Sequence, residues 1–262
     1  MLLEHVITTT EKYIEDMPKA QRKEYGQFFT SEATAKFMAG LYKPFWKNLT
    51  CISVLDTGAG SGILSAAILE RLHESKLKEV YLTCYENDVK IIPLLMKNLS
   101  YLKRNVSFQL NFEIKTENYI TSQTSDFNGD LFSKGIAKKY DIVIGNPPYM
   151  KVSSNSAEAK SMPSVCYGAP NMYFLFAAMA LFNLRDNKEM VYIIPRSWTS
   201  GAYFDHFRKY FLENGKLEHV HLFVSRDKVI EKKKVLQETI IIKEKKKKKV
   251  PETIKITSSN GN

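Results

Sequence analysis

Cysteine is scarce in this sequence, with three residues among 262. Cys51, Cys84 and Cys166 are odd in number, far apart and outside any C-x-x-C spacing. This arrangement excludes a disulfide scaffold and a zinc site, and no other metal site is predicted. We interpret the three as reduced thiols, two of them inside strands, which fits a cytoplasmic protein.

Long hydrophobic runs are also missing. No apolar stretch approaches the ~20 residues that a membrane-spanning helix needs, so no membrane partner is expected. The start, from Met1 to His5, lacks the basic stretch and apolar core of a secretory signal. A length of 262 residues suits one large α/β domain with its own core, or two small domains.

Positive charge is abundant, and the formal net charge of +10 indicates a polyanionic partner. The excess is uneven, because residues 226–249 contain eleven Lys or Arg and four Asp or Glu. This segment is either a solvated, flexible basic tail or a surface that contacts the phosphates of nucleic acid. Charge alone does not decide between the two interpretations.

Short apolar runs alternate with segments of helical periodicity along most of the chain. Helices are predicted within 1–25 and over 33–42, 62–73, 88–101, 171–184 and 202–213. Strands are predicted at 52–56, 80–85, 106–110, 141–145, 190–194, 217–223 and 237–243. This alternation is typical of an α/β fold with a mostly parallel seven-stranded sheet and helices on both faces. Ligands of such sheets bind at the carboxyl ends of the strands.

A glycine cluster, Asp56-Thr57-Gly58-Ala59-Gly60-Ser61-Gly62, joins the first predicted strand to the next helix. Glycine lets the backbone approach a ligand closely, and the helix start supplies free N–H groups and partial positive charge. The third glycine comes one residue too early for the G-x-G-x-x-G turn of nicotinamide-binding proteins. The pattern instead suits an amino acid carried on a nucleoside. Asp56 would face its ammonium, and Gly58, Gly60 and Gly62 would face the sugar and the amino-acid chain.

An acidic residue ends the second predicted strand. Glu86 can accept hydrogen bonds from both ribose hydroxyls of a nucleoside bound at the glycine turn. Asn87 follows it in the same predicted site, and Asp88 is predicted to cap the next helix.

Asn146-Pro147-Pro148-Tyr149 directly follows the apolar strand that ends at Gly145, and a long polar loop at 151–170 comes next. The prolines fix φ and remove two N–H donors, so the Asn146 side-chain oxygen and the Pro147 carbonyl can both point outward as acceptors. Two such acceptors suit a planar amine, because accepting both of its N–H bonds favours a nucleophilic, pyramidal nitrogen. Tyr149 offers a flat face for a base extruded from a duplex. These four residues are the predicted catalytic loop, which would direct the amine onto a sulfonium methyl group.

These motifs resemble those of the gamma-type N6-adenine DNA methyltransferases of restriction–modification systems, over residues 25–243. The resemblance implies the Rossmann-like fold of the S-adenosylmethionine-dependent methyltransferases, S-adenosyl-L-methionine as cofactor, and double-stranded DNA with a flipped adenine as substrate. It also implies that the segment 25–30, with Gln27, Phe28 and Thr30, closes over the methionyl end of the cofactor. The position of this segment ahead of the glycines is the feature that marks the gamma order.

The sequence departs from the family pattern at two positions. Asn118 stands where the family usually has an aspartate contacting the cofactor's adenine amine, and its amide can still accept one hydrogen bond. Ile230, with Phe223 nearby, stands where the family often has an aromatic residue for the second face of the flipped base.

The resemblance divides the chain into an N-terminal helix and capping segment at 1–30 and a catalytic domain at 31–262. The family's C-terminal target-recognition domain is not found, so recognition is expected on a further domain or a specificity subunit.

Other functions stay open at this point. A protein glutamine amide is the nearest alternative acceptor, because the same loop chemistry serves an amide nitrogen; adenine or guanine in RNA is another. The segment at 25–30, the serine-rich loop and the basic segment favour DNA over the protein substrate. A non-catalytic nucleic-acid-binding module on the same fold would not need Asn146, Pro147 and Tyr149 together.

Overall fold

The structure, a computed structural model, describes residues 1–18, 29–44, 48–130, 137–224, 239–247 and 253–260. The chain divides into two compact units. The first contains Met1–Asn118 and Tyr140–Asn146, and the second contains Tyr119–Lys139 and Pro147–Asn262.

The first unit is built from alternating helices and strands. Its described helices and strands are α1 (Leu2–Glu15), α2 (Glu32–Gly40), β1 (Cys51–Thr57), α3 (Ile63–His73), β2 (Glu79–Tyr85), α4 (Ile92–Asn105), β3 (Gln109–Lys115) and β4 (Tyr140–Gly145). The strands follow the order β3-β2-β1-β4, and the three pairings between neighbours are all parallel. Parallel strands joined through helices bring all their carboxyl ends to one edge of the sheet.

The register of β1 against β4 decides where the predicted site residues of these two strand ends lie. Asp56 pairs with Ile144, so the residues after both strands start at neighbouring points. At the other end of the pair, Asp141 Oδ2 accepts hydrogen bonds from the N–H and the hydroxyl of Ser53, both at 2.9 Å. Every residue of β4 is buried, as expected for a central strand covered on both sides.

The second unit ends in strands of mixed direction. Its described elements are α5 (Thr124–Asn128), α6 (Ala157–Ser161), α7 (Met172–Asn183), β5 (Leu184–Pro195), α8 (Asp205–Asn214), β6 (Gly215–Val224), β7 (Thr239–Lys246) and β8 (Lys255–Asn260). The order is β5-β7-β6-β8; β7 runs antiparallel to both of its neighbours and β8 runs parallel to β6.

An aromatic core stabilises the second unit. Helix α7 is apolar on nearly all sides and almost completely buried, which is typical of a core helix. Its Phe174 lies 5.3 Å from the ring of Phe207, which packs edge-on against Trp198 at 5.6 Å. These rings fix α7 and α8 against each other.

The predicted α/β alternation is confirmed, but three details were wrong. The described residues form eight strands rather than seven, because the polar sequence of Lys255–Asn260 gave no apolar signal and forms the edge strand β8. Strand β3 begins at Gln109 rather than residue 106, because the Val106 N–H still bonds α4. Helix α4 begins at Ile92, so Asp88 does not cap it; Asp88 Oδ1 accepts the Lys90 N–H in a turn ahead of it.

The loop predicted at 151–170 contains the short helix α6, and hydrogen bonds join its two ends. The Val152 N–H donates to the Pro170 carbonyl and the Met172 N–H donates to the Met150 carbonyl, both at 2.8 Å.

Among the described residues, no helix is both long and apolar enough to cross a membrane.

A buried ion pair in the second unit gives a stability prediction. Lys243 Nζ lies 2.9 Å from Glu189, and both side chains are 4% exposed. Lys243→Met should lower the free energy of unfolding by about 3–5 kcal/mol, because it leaves a buried carboxylate without its cation. The exposed pair of Lys36 and Glu32, at 2.6 Å, is the control, and Lys36→Met should change the value by less than about 1 kcal/mol. Urea denaturation would measure both; equal effects would contradict the assignment.

Candidate active site

The glycine turn between β1 and α3 has a backbone that only glycine adopts readily. Gly58, Gly60 and Gly62 have φ of 85°, 55° and 88°. These angles lie in the left-handed region, where a side chain is strained. The N–H groups of Gly58 and Ala59 both donate to the Tyr85 carbonyl at 2.9 Å, so the turn is held against the end of β2.

Glu86 is hydrogen-bonded directly to the same turn. Its Oε2 accepts the Gly60 N–H at 2.8 Å, and its Oε1 accepts the Asp88 N–H at 2.9 Å. The carboxylate is half-buried, and Asn87 beside it is exposed. Each carboxylate oxygen has a second lone pair, so Glu86 can still accept two hydroxyl groups from a ligand lying on the turn.

Part of the predicted capping segment reaches the glycine turn. A methyl group added at Gly60 would lie 3.5 Å from the Phe29 ring, so the ring faces bare backbone. Thr30 follows and is half-buried. Gln27 and Phe28, predicted to bind the cofactor, lie outside the described residues.

Asp56 is completely buried beneath the turn. Its Oδ2 accepts the Ser65 hydroxyl at 2.6 Å, while its Oδ1 is buried without a hydrogen-bond partner among the described residues. Burial raises the pKa of Asp56 to about 7, although the hydrogen bonds from Ser65 oppose the shift. An unsatisfied buried acceptor is rare, and it fits a carboxyl that awaits a donor such as an ammonium group.

Sequence reasoning missed the polar residues that support the turn from behind. Thr10 of α1 bonds the Ser61 hydroxyl at 2.9 Å, and Asn98 of α4 donates to the Ser61 carbonyl at 2.8 Å. Both side chains are buried. Asn98 interrupts the apolar face of α4 between Leu95 and Leu99, and this polar residue in an apolar stripe was the available signal.

Asn146 lies at the neighbouring strand end, as predicted. It follows β4 directly, and its Nδ2 donates to Thr30 Oγ1 at 3.2 Å. Through this bond the amide is tied to the segment that reaches the glycine turn. The first unit therefore brings Asp56, Glu86 and Asn146 to the carboxyl ends of β1, β2 and β4.

The rest of the predicted catalytic loop belongs to the second unit. Pro147 is buried and Pro148 half-buried. The Tyr149 hydroxyl donates to the Ile193 carbonyl at 3.0 Å, and its ring packs edge-on against Tyr173 at 6.3 Å. Burial raises the Tyr149 pKa, so the phenol stays neutral, and the hydrogen bond to Ile193 holds the ring in place.

The structure describes only one of the two residues that depart from the family pattern. Asn118 is half-buried and lies three residues after β3, at the same edge of the first unit as Glu86. Ile230 lies outside the described residues. Phe223, its neighbour in the prediction, is half-buried and packs edge-on against His221 at 5.2 Å.

A family model and curated protein sequences match most of the chain. The model described as "Eco57I restriction-modification methylase" matches residues 77–230, more than half of the chain. The Type II methyltransferase M.BsuBI of Bacillus subtilis is 35% identical over 240 residues, covering 91% of this chain and 47% of the relative. The Type II methyltransferase M.PstI of Providencia stuartii is 33% identical over 223 residues, covering 84% and 43%. The chain thus spans just under half the length of these relatives.

A solved structure shares the fold. A Listeria monocytogenes protein assigned to the class I S-adenosylmethionine-dependent methyltransferases superposes with a TM-score of 0.67 at 15% identity. The match covers 89% of this chain and 66% of that protein. The likeness shows the Rossmann-like fold of this methyltransferase class, as predicted.

The turn geometry predicts a position-specific effect of adding a methyl group. Gly62→Ala places a Cβ 3.1 Å from Leu95 Cδ1 at a φ of +88°, so it should lower the free energy of unfolding by about 1–2 kcal/mol. Gly40→Ala is the control, since Gly40 lies in α2 and nothing is within 4 Å of its added Cβ. It should leave stability unchanged or slightly raised. Urea unfolding of both variants measures the difference, and a harmless Gly62→Ala would argue against a strained turn.

Proposed function

Because the chain belongs to the Eco57I restriction-modification methylase family, we propose that it transfers a methyl group from S-adenosyl-L-methionine to the N6 amine of adenine in DNA. It would serve as the modification part of a restriction–modification system. The observation that carries the proposal is the β1–β4 register, because it places the start of the glycine turn and Asn146 at neighbouring strand ends. Neighbouring strands are ~4.8 Å apart, a separation that suits a methyl donor and an amine meeting between them.

The residues of the glycine turn fit the proposed cofactor. Gly58, Gly60 and Gly62 leave the backbone bare, Glu86 has acceptors for the ribose hydroxyls, and the buried Asp56 Oδ1 has no other donor among the described residues. Asn87 and Asn118 would contact the adenosine, with Gln27, Phe28 and Thr30 at the methionyl end. When bound, the cofactor supplies an activated methyl group on a sulfonium.

Asn146 and Pro147 would bind the amine that accepts the methyl group. The amide oxygen of Asn146 and the carbonyl of Pro147 each accept one N–H of the amine, which raises the electron density on its nitrogen. No strong base is needed, because the proton becomes acidic only as the new bond forms. Thr30 would hold the Asn146 amide in orientation through the bond to its Nδ2.

Tyr149 would stack on the extruded adenine, with Pro148 stiffening the loop that carries it. Its hydroxyl is engaged by the Ile193 carbonyl, so the ring is positioned before a base arrives. Flipping a base costs a few kcal/mol, and stacking on a fixed ring offsets part of this cost.

We also assign residues 1–30 to an N-terminal helix and capping segment and residues 31–262 to the catalytic domain. Support comes from Phe29 and Thr30, which reach Gly60 and Asn146. The curated relatives are about twice as long as the matched segment. We therefore assign recognition of the DNA sequence to a further domain or a specificity subunit.

The test is methyl transfer from labelled S-adenosylmethionine, offered in parallel to duplex DNA, RNA and a translation release factor. Label should enter the DNA and appear as N6-methyladenine after digestion to nucleosides. Asn146→Ala should lower the transfer at least about 100-fold, because it removes one acceptor at the reacting nitrogen. Asn105→Ala is the control, since Asn105 is exposed at the end of α4.

Three results of this experiment would contradict parts of the proposal. Label entering only the release factor would support the glutamine reaction and overturn the DNA proposal. Label found in cytosine would overturn the adenine assignment. Transfer unchanged in Asn146→Ala would show that the loop is not catalytic.

Asp56 gives a pH prediction for cofactor binding. Its pKa is about 7, so the carboxyl is neutral below that pH and charged above it. The charged form attracts an ammonium group, so the affinity for S-adenosylmethionine should rise between pH 6 and 8. Asp56→Asn should lack this rise, and the difference between the two proteins cancels the titration of the cofactor itself. Parallel slopes in calorimetric titrations would refute the contact.

The raised pKa of Asp56 affects the stability of the fold in the opposite direction to cofactor affinity. The native Asp56 holds a proton that the unfolded chain, with a pKa of about 3.9, releases. Its contribution to stability is therefore full at low pH and declines as the pH rises toward 7.

A further inference from the structure

Two lysines of the second unit converge on one carbonyl oxygen. Lys139 Nζ donates to the Phe182 carbonyl at 2.6 Å, and Lys246 Nζ donates to the same oxygen at 2.9 Å. Lys139 also lies over the Phe182 ring, 3.3 Å from its centroid. The two ammonium groups are thus close enough for a single tetrahedral anion to contact both.

Within the described residues, neither lysine has a carboxylate at ion-pair distance. Asp126 and Asp186 raise the pKa of Lys139 from farther away, but burial and the charge of Lys246 lower it to about 8. Burial also lowers the pKa of Lys246, against the effect of Asp186.

The role of capping a helix does not account for both lysines. Phe182 is near the end of α7, where carbonyls lack helical partners and a cation is favoured. One ammonium group already satisfies that preference, and the second introduces repulsion between like charges. An anion bound between the two would relieve that repulsion.

A second pair of like charges lies beside the first. Lys216 of β6 and Lys245 of β7 are directly opposite each other in the antiparallel register, an arrangement that destabilises a sheet. Lys245 and Lys246 are consecutive, so their side chains lie on opposite faces at the end of β7. Exposed Lys247 follows them. Positive charge therefore lies on both faces at this end of β7, with Glu189 of β5 as the carboxylate opposite Lys245.

This basic end is remote from the catalytic loop. Tyr149 bonds the carbonyl of Ile193 near the end of β5, whereas Lys245 pairs with Glu189 near the middle of β5 and Lys246 lies one residue beyond. At ~3.4 Å per residue, the two places are roughly 14–17 Å apart along the strand. A contact at the basic end is therefore separate from base binding at Tyr149.

We propose that Lys139 and Lys246 form a phosphate-binding site for a nucleic-acid backbone, extended by Lys216 and Lys245. The site rests on the proposed function, and its ligand is the DNA backbone away from the base that reaches Tyr149. Backbone phosphates fit because they are regularly spaced, need no base contact and are bound by ammonium groups without fixed geometry. An acidic protein segment is the competing ligand that the experiment separates.

The first measurement is a lysine footprint on the whole wild-type chain. The protein is acylated with N-acetoxysuccinimide alone, with a short duplex, with pyrophosphate or with polyglutamate, and each lysine is quantified by mass spectrometry. The duplex should reduce acylation of Lys139 and Lys246 several-fold, while exposed Lys76 serves as the reference. Pyrophosphate should compete with the duplex. No protection by the duplex, or equal protection by polyglutamate, overturns the proposal.

The second measurement is the salt dependence of duplex binding. The double variant Lys139→Gln/Lys246→Gln should reduce the slope of log K against log salt by about 1–2, since two phosphate contacts are lost. The control Lys76→Gln/Lys78→Gln removes the same charge and should leave the slope unchanged. Wild-type affinity should also fall as the pH rises through about 8, where Lys139 loses its proton, and the variant should lack this fall. Equal slopes for variant and control overturn the site.

Discussion

The hydrogen bond from the Gly60 N–H to the Glu86 carboxylate is the contact on which the rest of the site depends. Together with the Tyr85 carbonyl, which accepts two more N–H groups, it fixes the turn after β1 to the end of β2. The turn can take this path only because its glycines have positive φ. Phe29 lies against the bare backbone, and Thr30 then meets Asn146 at the end of β4. One local constraint thereby sets the geometry between the proposed cofactor site and the amide proposed to be catalytic.

Much of this could be predicted from the sequence because the signals are local. An apolar run that stops at D-x-G-x-G-x-G specifies a strand, a left-handed turn and a helix start within a few residues. Glu86 and Asn146 were found in the same way, each directly after an apolar strand. The parallel sheet then follows from the alternation of strands and helices, and it brings these strand ends together.

The remaining features depend on contacts between distant segments. Asn98 and Thr10 meet Ser61 only when two helices pack on the turn, and Ser65 meets Asp56 only after α3 forms. Strand β8 has a polar sequence and owes its structure to pairing with β6 rather than to its own pattern. The sequence also could not show which lysines of the basic segment form fixed contacts. Lys246 is held at Phe182 beside Lys139, more than a hundred residues earlier in the chain, so part of the segment is not a solvated tail.

The central claim is that the turn and Glu86 bind S-adenosylmethionine, and calorimetric titration of the cofactor tests it most directly. The wild-type chain should bind with a Kd on the order of micromolar. Glu86→Ala should weaken binding at least about 10-fold, equivalent to ~1.4 kcal/mol, because it removes the ribose acceptors and the bond that holds Gly60. The exposed control Glu74→Ala should bind like the wild type. Undiminished binding by Glu86→Ala would contradict the account.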